Sequence, residues 1–156
     1  MDQSIRKLVA YNGWANRQVA ASLRTISGSI DRPLKLFAHL LNAERLWMSR
    51  FAGEAGPLPW DEHTLEECER LLEENHSAYE KFLDTERAND GDSMFAYHNT
   101  QGIPCRTSLQ DIFMQVLTHG CYHRGQIASA VKERGGTPAQ SDFILYARDL
   151  GSDLKP

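Results

Sequence analysis

The spacing of apolar residues along the chain predicts four long helices. In each of them apolar positions recur every three or four residues, which gives a helix one face to bury. The predicted helices cover about residues 3–26, 33–51, 64–85 and 107–134, and a short final helix is expected over 142–149. Four long helices in 156 residues predict an all-α fold, a four-helix bundle that forms a single domain over residues 1–156.

Side chains suited to capping mark the ends of these helices. Asp31 is a candidate cap for the second helix, and Thr64 with Glu67 has the spacing of a capping box at the start of the third. Thr107 or Ser108 can cap the fourth helix, which Gly135 and the glycine after it should end. Residues 94–107 lie between helices three and four and alternate apolar with polar positions. They predict a long irregular connection or an irregular hairpin.

Composition and charge exclude several classes of protein. The net charge is −4 and basic residues are not clustered, so we expect no nucleic-acid partner. The apolar runs are short and interrupted by charges, so we expect no membrane span. Cys68, Cys105 and Cys121 form no C-x-x-C pair, which argues against a disulfide framework or a thiolate zinc site. A cytoplasmic location is the expectation that follows.

Two histidines on the predicted fourth helix are spaced for metal binding. His119 and His123 are four residues apart, so their imidazoles lie on one side of a helix, roughly 6 Å apart at Cβ. Neutral imidazoles in that arrangement can share one ion at roughly 2.0–2.1 Å each. His123 falls inside the apolar face of this helix and His119 at its edge. That apolar face consists of Leu109, Ile112, Phe113, Val116, Ile127 and Val131.

The second helix offers a third histidine. His39 lies outside the main apolar stripe of that helix and on a second stripe, where Ala43, Leu46 and Arg50 follow it at helical spacing. A helix with two such stripes contacts two neighbours in a bundle. His39 could therefore meet the histidines of the fourth helix across the interior. The plainer alternative is that His39 bonds a backbone carbonyl and that the other two are ordinary packed histidines.

The remaining histidines and the nearest cysteine are weaker candidates. His63, His76 and His98 are expected to face solvent, although His98 could approach a site as part of a lid. Cys121 lies two residues from both His119 and His123, so it points roughly 200° away from either on a helix. We expect Cys121 to be a small packed residue and not a ligand.

Four stretches of the sequence resemble one known family over nearly the whole chain. They are Tyr11-Asn-Gly-Trp-Ala-Asn16, the segment from Ala38 to Arg50, His119-Gly-Cys-Tyr-His-Arg-Gly-Gln-Ile127, and Gly136-Thr-Pro138 with the residues that follow. These motifs resemble the DinB-like family, the DinB/YfiT group of bacterial metalloenzymes. The third stretch, similar to an H-x-x-x-H-R-G-Q block, is the most specific.

The resemblance implies a fold, a site and an assembly. The implied fold is a four-helix bundle in up-down-down-up order with a long connection between helices three and four. The implied site is mononuclear, with His39, His119 and His123 as ligands to a divalent ion, commonly zinc or nickel. Homodimers are frequent in the family. Some relatives transfer or isomerise groups using low-molecular-weight thiols, which makes a thiol a candidate cosubstrate here.

The leading hypothesis is a metal-dependent enzyme of the thiol S-transferase or hydrolase type that acts on a small molecule. A water or thiolate on the metal would be the nucleophile. Arg50 could orient an anionic substrate, Trp47 could line a pocket, and Gln126 could support a ligand or contact the substrate. The structural alternatives are a salt bridge for Arg50, core packing for Trp47 and a backbone bridge for Gln126.

Two further hypotheses stay open at the level of the sequence. The bundle could bind metal without turnover, as a dimeric module with a structural or stress-related role. Alternatively, the site could hold no ion, and the three histidines could form a polar cluster that responds to pH. An open coordination position in a cleft favours catalysis, whereas a fourth protein ligand favours a structural ion.

Overall fold

A computed structural model describes residues 3–149. Within this range the chain is mainly helical, as predicted, and carries one small antiparallel sheet. None of the helices in this range has the length and apolarity needed to cross a membrane. The elements, in chain order, are α1 Gln3–Leu23, α2 Asp31–Ala52, α3 Leu65–Leu83, a short 3-10 helix Glu86–Asn89, β1 Met94–His98, β2 Pro104–Ser108, α4 Leu109–Glu133 and α5 Phe143–Asp149.

Most of the predicted helix ends are confirmed. Thr64 and Glu67 form the complete capping box, with each side chain accepting the other residue's backbone N–H at 3.2 and 2.8 Å. The Ser108 hydroxyl accepts the backbone N–H of Asp111 at the start of α4. After α4, Gly135 adopts a φ of 74°, a left-handed conformation that glycine adopts without steric cost.

The predicted cap at Asp31 is wrong. Asp31 is the first residue of α2, and the capping position falls on Ile30, whose side chain can accept no hydrogen bond. Ser29 takes over part of this role, because its hydroxyl accepts the Asp31 backbone N–H at 3.3 Å. The Asp31 carboxylate instead lies in the first turn, where a negative charge interacts favourably with the helix dipole.

The connection between α3 and α4 is more regular than predicted. β1 and β2 pair in an unbroken antiparallel register from Met94 opposite Ser108 to His98 opposite Pro104. The Asn99 side chain organises the turn, since its Oδ1 accepts two backbone N–H groups at 2.9 Å each. The partly buried faces of the two strands turn toward the bundle, so the hairpin covers the end of α2.

The core consists of two apolar clusters separated by a polar layer. α1 and α2 each pack against both α3 and α4. Buried polar side chains from all four long helices form this layer, and all except His39 lie in sequence between residues of one cluster and residues of the other. This polar layer consists of Asn12, Asn16, His39, Asn42, Glu44, Asn75, His123 and Arg124. A buried layer of this kind requires internal partners for its polar atoms, and it contains the candidate site.

Candidate metal centre

Three imidazoles from α2 and α4 meet at one edge of the polar layer. Each of His39, His119 and His123 offers a ring nitrogen, and these nitrogens all lie within 4.8 Å of one another. The ring centroids are 5.3, 4.7 and 4.3 Å apart for the pairs His39–His119, His39–His123 and His119–His123. The structure therefore brings together the three histidines that the helical spacing singled out.

Hydrogen bonds to the other ring nitrogen fix the orientation of two of these rings. The carbonyl oxygen of Pro59 lies 2.8 Å from Nδ1 of His39, and the amide oxygen of Gln126 lies 2.8 Å from Nδ1 of His123. Both oxygens can only accept, so each Nδ1 donates the hydrogen bond and each Nε2 is left as the candidate ligand atom. Metal-binding histidines are usually supported in this way by a carbonyl or a carboxylate.

His119 completes the cluster in its neutral form. Burial, together with the nearby His123 and His39, lowers the pKa of His119 to about 4. Burial also lowers the pKa of His123. Neutral imidazole is the form that binds metals. The Nε2 atoms of His119 and His123 are 3.1 Å apart, close to the roughly 3.3 Å between two nitrogens on a tetrahedral ion with bonds of about 2.0–2.1 Å.

The surroundings of the three histidines suit an ion with an open position. Among the described residues, no fourth histidine, cysteine or carboxylate joins the cluster. A cavity of about 360 Å³ lies beside His39 and His119 and is also lined by Trp47. Three neutral nitrogen ligands next to such a cavity are typical of catalytic sites, whereas structural sites usually have four protein ligands.

A buried hydrogen-bond network lies directly beneath this cavity. Nη1 of Arg124 donates to Oδ1 of Asn12 and of Asn16, at 2.7 and 2.9 Å. The side-chain amides of the same two asparagines donate to Oε1 of Glu44, again at 2.7 and 2.9 Å. The asparagines thus connect a guanidinium on α4 to a carboxyl group on α2. Sequence analysis missed this network because its members lie far apart along the chain.

Gly120 is required by the same network. A Cβ atom at this position would lie 2.8 Å from Oδ1 of Asn12 and 2.9 Å from Nη1 of Arg124, closer than such contacts allow. A larger residue after His119 would therefore displace the ends of the Asn12 and Arg124 side chains, which are members of the network. This contact ties the position of the histidine helix to that of the network.

The carboxyl group of Glu44 should impose its own pH dependence on stability. Burial raises its pKa above the ordinary value of 4.5, so the folded protein retains a proton that the unfolded chain loses. The Glu44 contribution to the free energy of unfolding should therefore fall as pH rises above about 4.5. Urea unfolding of metal-free protein should show this decline relative to Glu44→Gln. If the free energies of unfolding of the two proteins changed with pH in parallel above about pH 4.5, this prediction would be contradicted.

The other predicted site residues fall at three places around the cluster. Trp47 lines the cavity beside His39, and its ring packs edge-on against Tyr97 at 4.9 Å. Arg50 lies further along α2, where its guanidinium stacks on Trp47. Gln126 holds His123 and also lines a separate cavity of about 770 Å³. The salt-bridge alternative for Arg50 is wrong within residues 3–149.

The loop after α2 contributes two site residues that sequence analysis missed. Besides the Pro59 carbonyl, this loop supplies Trp60, whose indole stacks on the His39 ring at 3.8 Å with an interplanar angle of 13°. Trp60 is nevertheless about half exposed, at 52%. It therefore forms part of the outer wall of the site and covers one face of a candidate ligand. A tryptophan in a Gly- and Pro-rich loop was the available signal.

Two of the remaining histidines, and Cys121, differ from expectation. His63 is half-buried, and its Nε2 donates to Oδ1 of Asn42 at 2.9 Å. His76 is packed against α1, where it occupies the space that a side chain at Gly13 would need. Cys121 is exposed, not packed, and it is absent from the histidine cluster. His98 is exposed, as predicted.

The mainly helical fold, with three histidines converging beside a cavity, is that of a helical protein with a candidate metal site. The chain belongs to the DinB family, whose model matches residues 1–150. A curated relative, Protein DinB of Bacillus subtilis (strain 168), is 24% identical over 159 residues, which covers 90% of this chain and 91% of the relative. The family predicted from the sequence motifs is thus confirmed.

Proposed function

We propose that His39, His119 and His123 bind one divalent metal ion, zinc or nickel, and that the protein is an enzyme acting on a small molecule. The proposed reaction is a thiol S-transfer or a hydrolysis. The observation that carries the proposal is the convergence of three imidazoles, whose candidate ligand atoms lie within 4.8 Å of one another, beside an open cavity. Imidazole is a preferred ligand of both metals.

The donor set fits such an ion, and the chain's own residues supply the remaining functions. When bound, the ion supplies a Lewis acid that makes a water molecule or a thiol nucleophilic at neutral pH. The Pro59 carbonyl and the Gln126 amide hold two of the imidazoles in position. Trp47 and Val116 provide apolar walls against which a substrate can pack, and Trp60 restricts water on the other side of His39.

Catalysis is favoured here over a metal-binding module without turnover. A structural ion would call for a fourth protein ligand, and the described residues offer none within the cluster. Glu44 lines the same cavity, but its Oε1 is already bonded by Asn12 and Asn16. The open side of the cluster is therefore available to a water molecule or a substrate thiol.

Metal analysis tests the proposal directly. Protein purified without a metal-chelating tag should contain close to one zinc or nickel ion per chain by elemental analysis. Turnover of electrophiles with a panel of small thiols should be lost with a chelator and restored by the metal. A metal content of zero would overturn the proposal. One ion per chain with uniform inactivity in every thiol and hydrolysis assay would favour the non-catalytic module.

We also propose that the helices form an up-down-down-up bundle, in a single domain that assembles as a cytoplasmic homodimer. Free cysteines support the cytoplasm, and light scattering of the purified protein tests the dimer. The order of contacts along each helix supports the helix directions, with α1 parallel to α4 and α2 parallel to α3. The supporting contacts are Arg6–Asp84, Arg17–Glu73, Asn75–Leu41, Tyr79–Glu44, Arg32–Glu133 and Asn12–Arg124.

A further inference from the structure

The cavity beside the three histidines continues toward the hairpin. A second cavity, of about 500 Å³, lies further along α2 and is lined by Arg50 and Tyr97. Both cavities are lined by Trp47, Thr100 and Gln115, so they adjoin along one side of α2. Together they form an elongated cleft with the histidines at one end and Arg50 at the other.

Arg50 is held in this cleft without an acidic partner. Its guanidinium lies over the rings of Trp47 and Tyr97, at 4.6 and 5.0 Å from their centroids. Nη2 donates to the carbonyl oxygen of His98 at 3.1 Å. No carboxylate within residues 3–149 forms an ion pair with it. An arginine positioned by aromatic faces keeps planar N–H donors for a carboxylate ligand.

One acidic side chain, Asp111, lines the same end of the cleft. Its Oδ2 accepts a hydrogen bond from the Ser108 hydroxyl at 2.7 Å, and it lies in the first turn of α4. The dipole of that helix offsets part of its negative charge. Arg50 therefore remains the strongest charge available to a ligand, and a cationic ligand end is the alternative to be tested.

The length of the cleft sets the length of its ligand. Arg50 follows His39 by three helical turns, which correspond to about 16 Å of helix axis. Side chains on a helix lean toward its N-terminus, and because His39 and Arg50 lean in the same direction, the guanidinium and the histidines remain roughly 12–16 Å apart along α2. Between the two ends the wall is mainly apolar, with Ala43, Leu46 and Val116 among its residues, and Glu44, Thr100 and Gln115 are the polar residues that also line it.

We propose that the substrate of this centre is an elongated molecule whose reactive group lies at the histidines and whose far end carries a carboxylate bound by Arg50. The inference rests on the proposed metal centre and adds to it a substrate class. A short anion cannot satisfy both ends of the cleft, and a long neutral molecule leaves Arg50 without its partner.

Binding of ω-mercapto compounds to the cobalt-loaded protein tests this proposal, because a thiolate bound to cobalt gives a charge-transfer absorption band. Mercaptooctanoate, mercaptooctanol and mercaptooctylamine share one length and differ in end group. The carboxylate should bind about tenfold or more tightly than the alcohol, and the amine least tightly. Mercaptopropionate should show no such advantage over mercaptopropanol, because it is too short to reach Arg50.

Variants connect the preference to Arg50. Arg50→Gln should remove the advantage of mercaptooctanoate over mercaptooctanol, and Arg50→Lys should keep part of it. The matched control is Arg45→Gln, which lies on the same helix outside the cleft and near Glu74; it should keep the full advantage. The cobalt content of all variants should be unchanged, because Arg50 is not a ligand.

The possible outcomes separate this inference from the metal centre itself. Failure to load cobalt would overturn both proposals. Cobalt loading and thiol binding with equal affinities for carboxylate and alcohol would overturn only the substrate class. A preference for the amine would assign the end of the cleft to Asp111, and a preference that survives Arg50→Gln would place the carboxylate elsewhere.

Discussion

Replacing His123 by alanine should lower the metal affinity of the protein by about a hundredfold or more. Changes that remove only the hydrogen-bond partner of a ligand typically cost about 10- to 100-fold, and His123→Ala removes the ligand itself. His123 is also the ring closest to both others, at 4.7 and 4.3 Å between centroids. His39→Ala and His119→Ala should lose affinity to a similar extent. Competition with a chromogenic chelator measures these affinities.

The matched controls lie close to the ligands. Cys121→Ala is two residues from both His119 and His123, yet its thiol contacts Nη2 of Arg124 at 3.2 Å and lies outside the histidine cluster. His76→Ala removes a histidine on α3 that packs against Gly13. Both variants should retain their ion. Equal losses in the controls, or retention of the ion in His123→Ala with an unchanged circular dichroism spectrum, would break the assignment of ligands.

The histidines could be selected as candidates because a helix has a fixed period. Four residues separate His119 from His123, and a second stripe of α2 carries His39. That the three meet at one site was implied by the family resemblance and not by the helical spacing. The supporting contacts could not be predicted in this way. Pro59 and Trp60 belong to a loop, and a loop has no period from which its path could be read.

The polar layer could not be predicted from the sequence for a different reason. Glu44 reads as one charged residue among others on an amphipathic helix, and its neutral partners come from α1. The sequence around Glu44 does not indicate that Arg124 contacts these asparagines from their other side. Hairpin register and the packing of His76 likewise depend on contacts between distant segments, which only the assembled fold determines.

Helix α4 connects the buried hydrogen-bond network to the candidate metal centre. His123 and Arg124 are consecutive, so the residue that anchors α4 to α1 is next to a candidate ligand. The close approach at Gly120 adds a second fixed point, one residue after His119. The polar layer therefore fixes the position of α4 along its axis and its rotation about that axis. This in turn fixes the two α4 imidazoles relative to His39, as a precise ligand set requires.

Removal of the Arg124 guanidinium should be the most destabilising change outside the apolar core. Arg124 is 3% exposed and satisfies Oδ1 of both Asn12 and Asn16. In Arg124→Met these buried oxygens lose their donors, and the Glu44 carboxyl loses its nearby positive charge. A buried acceptor left without its donor typically costs about 1–3 kcal/mol, so the two asparagine oxygens together should cost about 2–6 kcal/mol. Urea unfolding of metal-free protein should show a loss of that size.

Two controls, a variant of an exposed arginine and a double variant, distinguish the loss of the network from a general effect of removing a positive charge. Arg17→Met removes an ion pair with Glu73 between two well-exposed side chains and should cost about 1 kcal/mol or less. At a pH high enough to ionise Glu44 in the folded protein, adding Glu44→Gln to Arg124→Met should recover part of the loss, because a neutral amide needs no counter-charge yet still accepts from the two asparagines. Strict additivity of the two changes would show that Glu44 and Arg124 are not coupled through the asparagines.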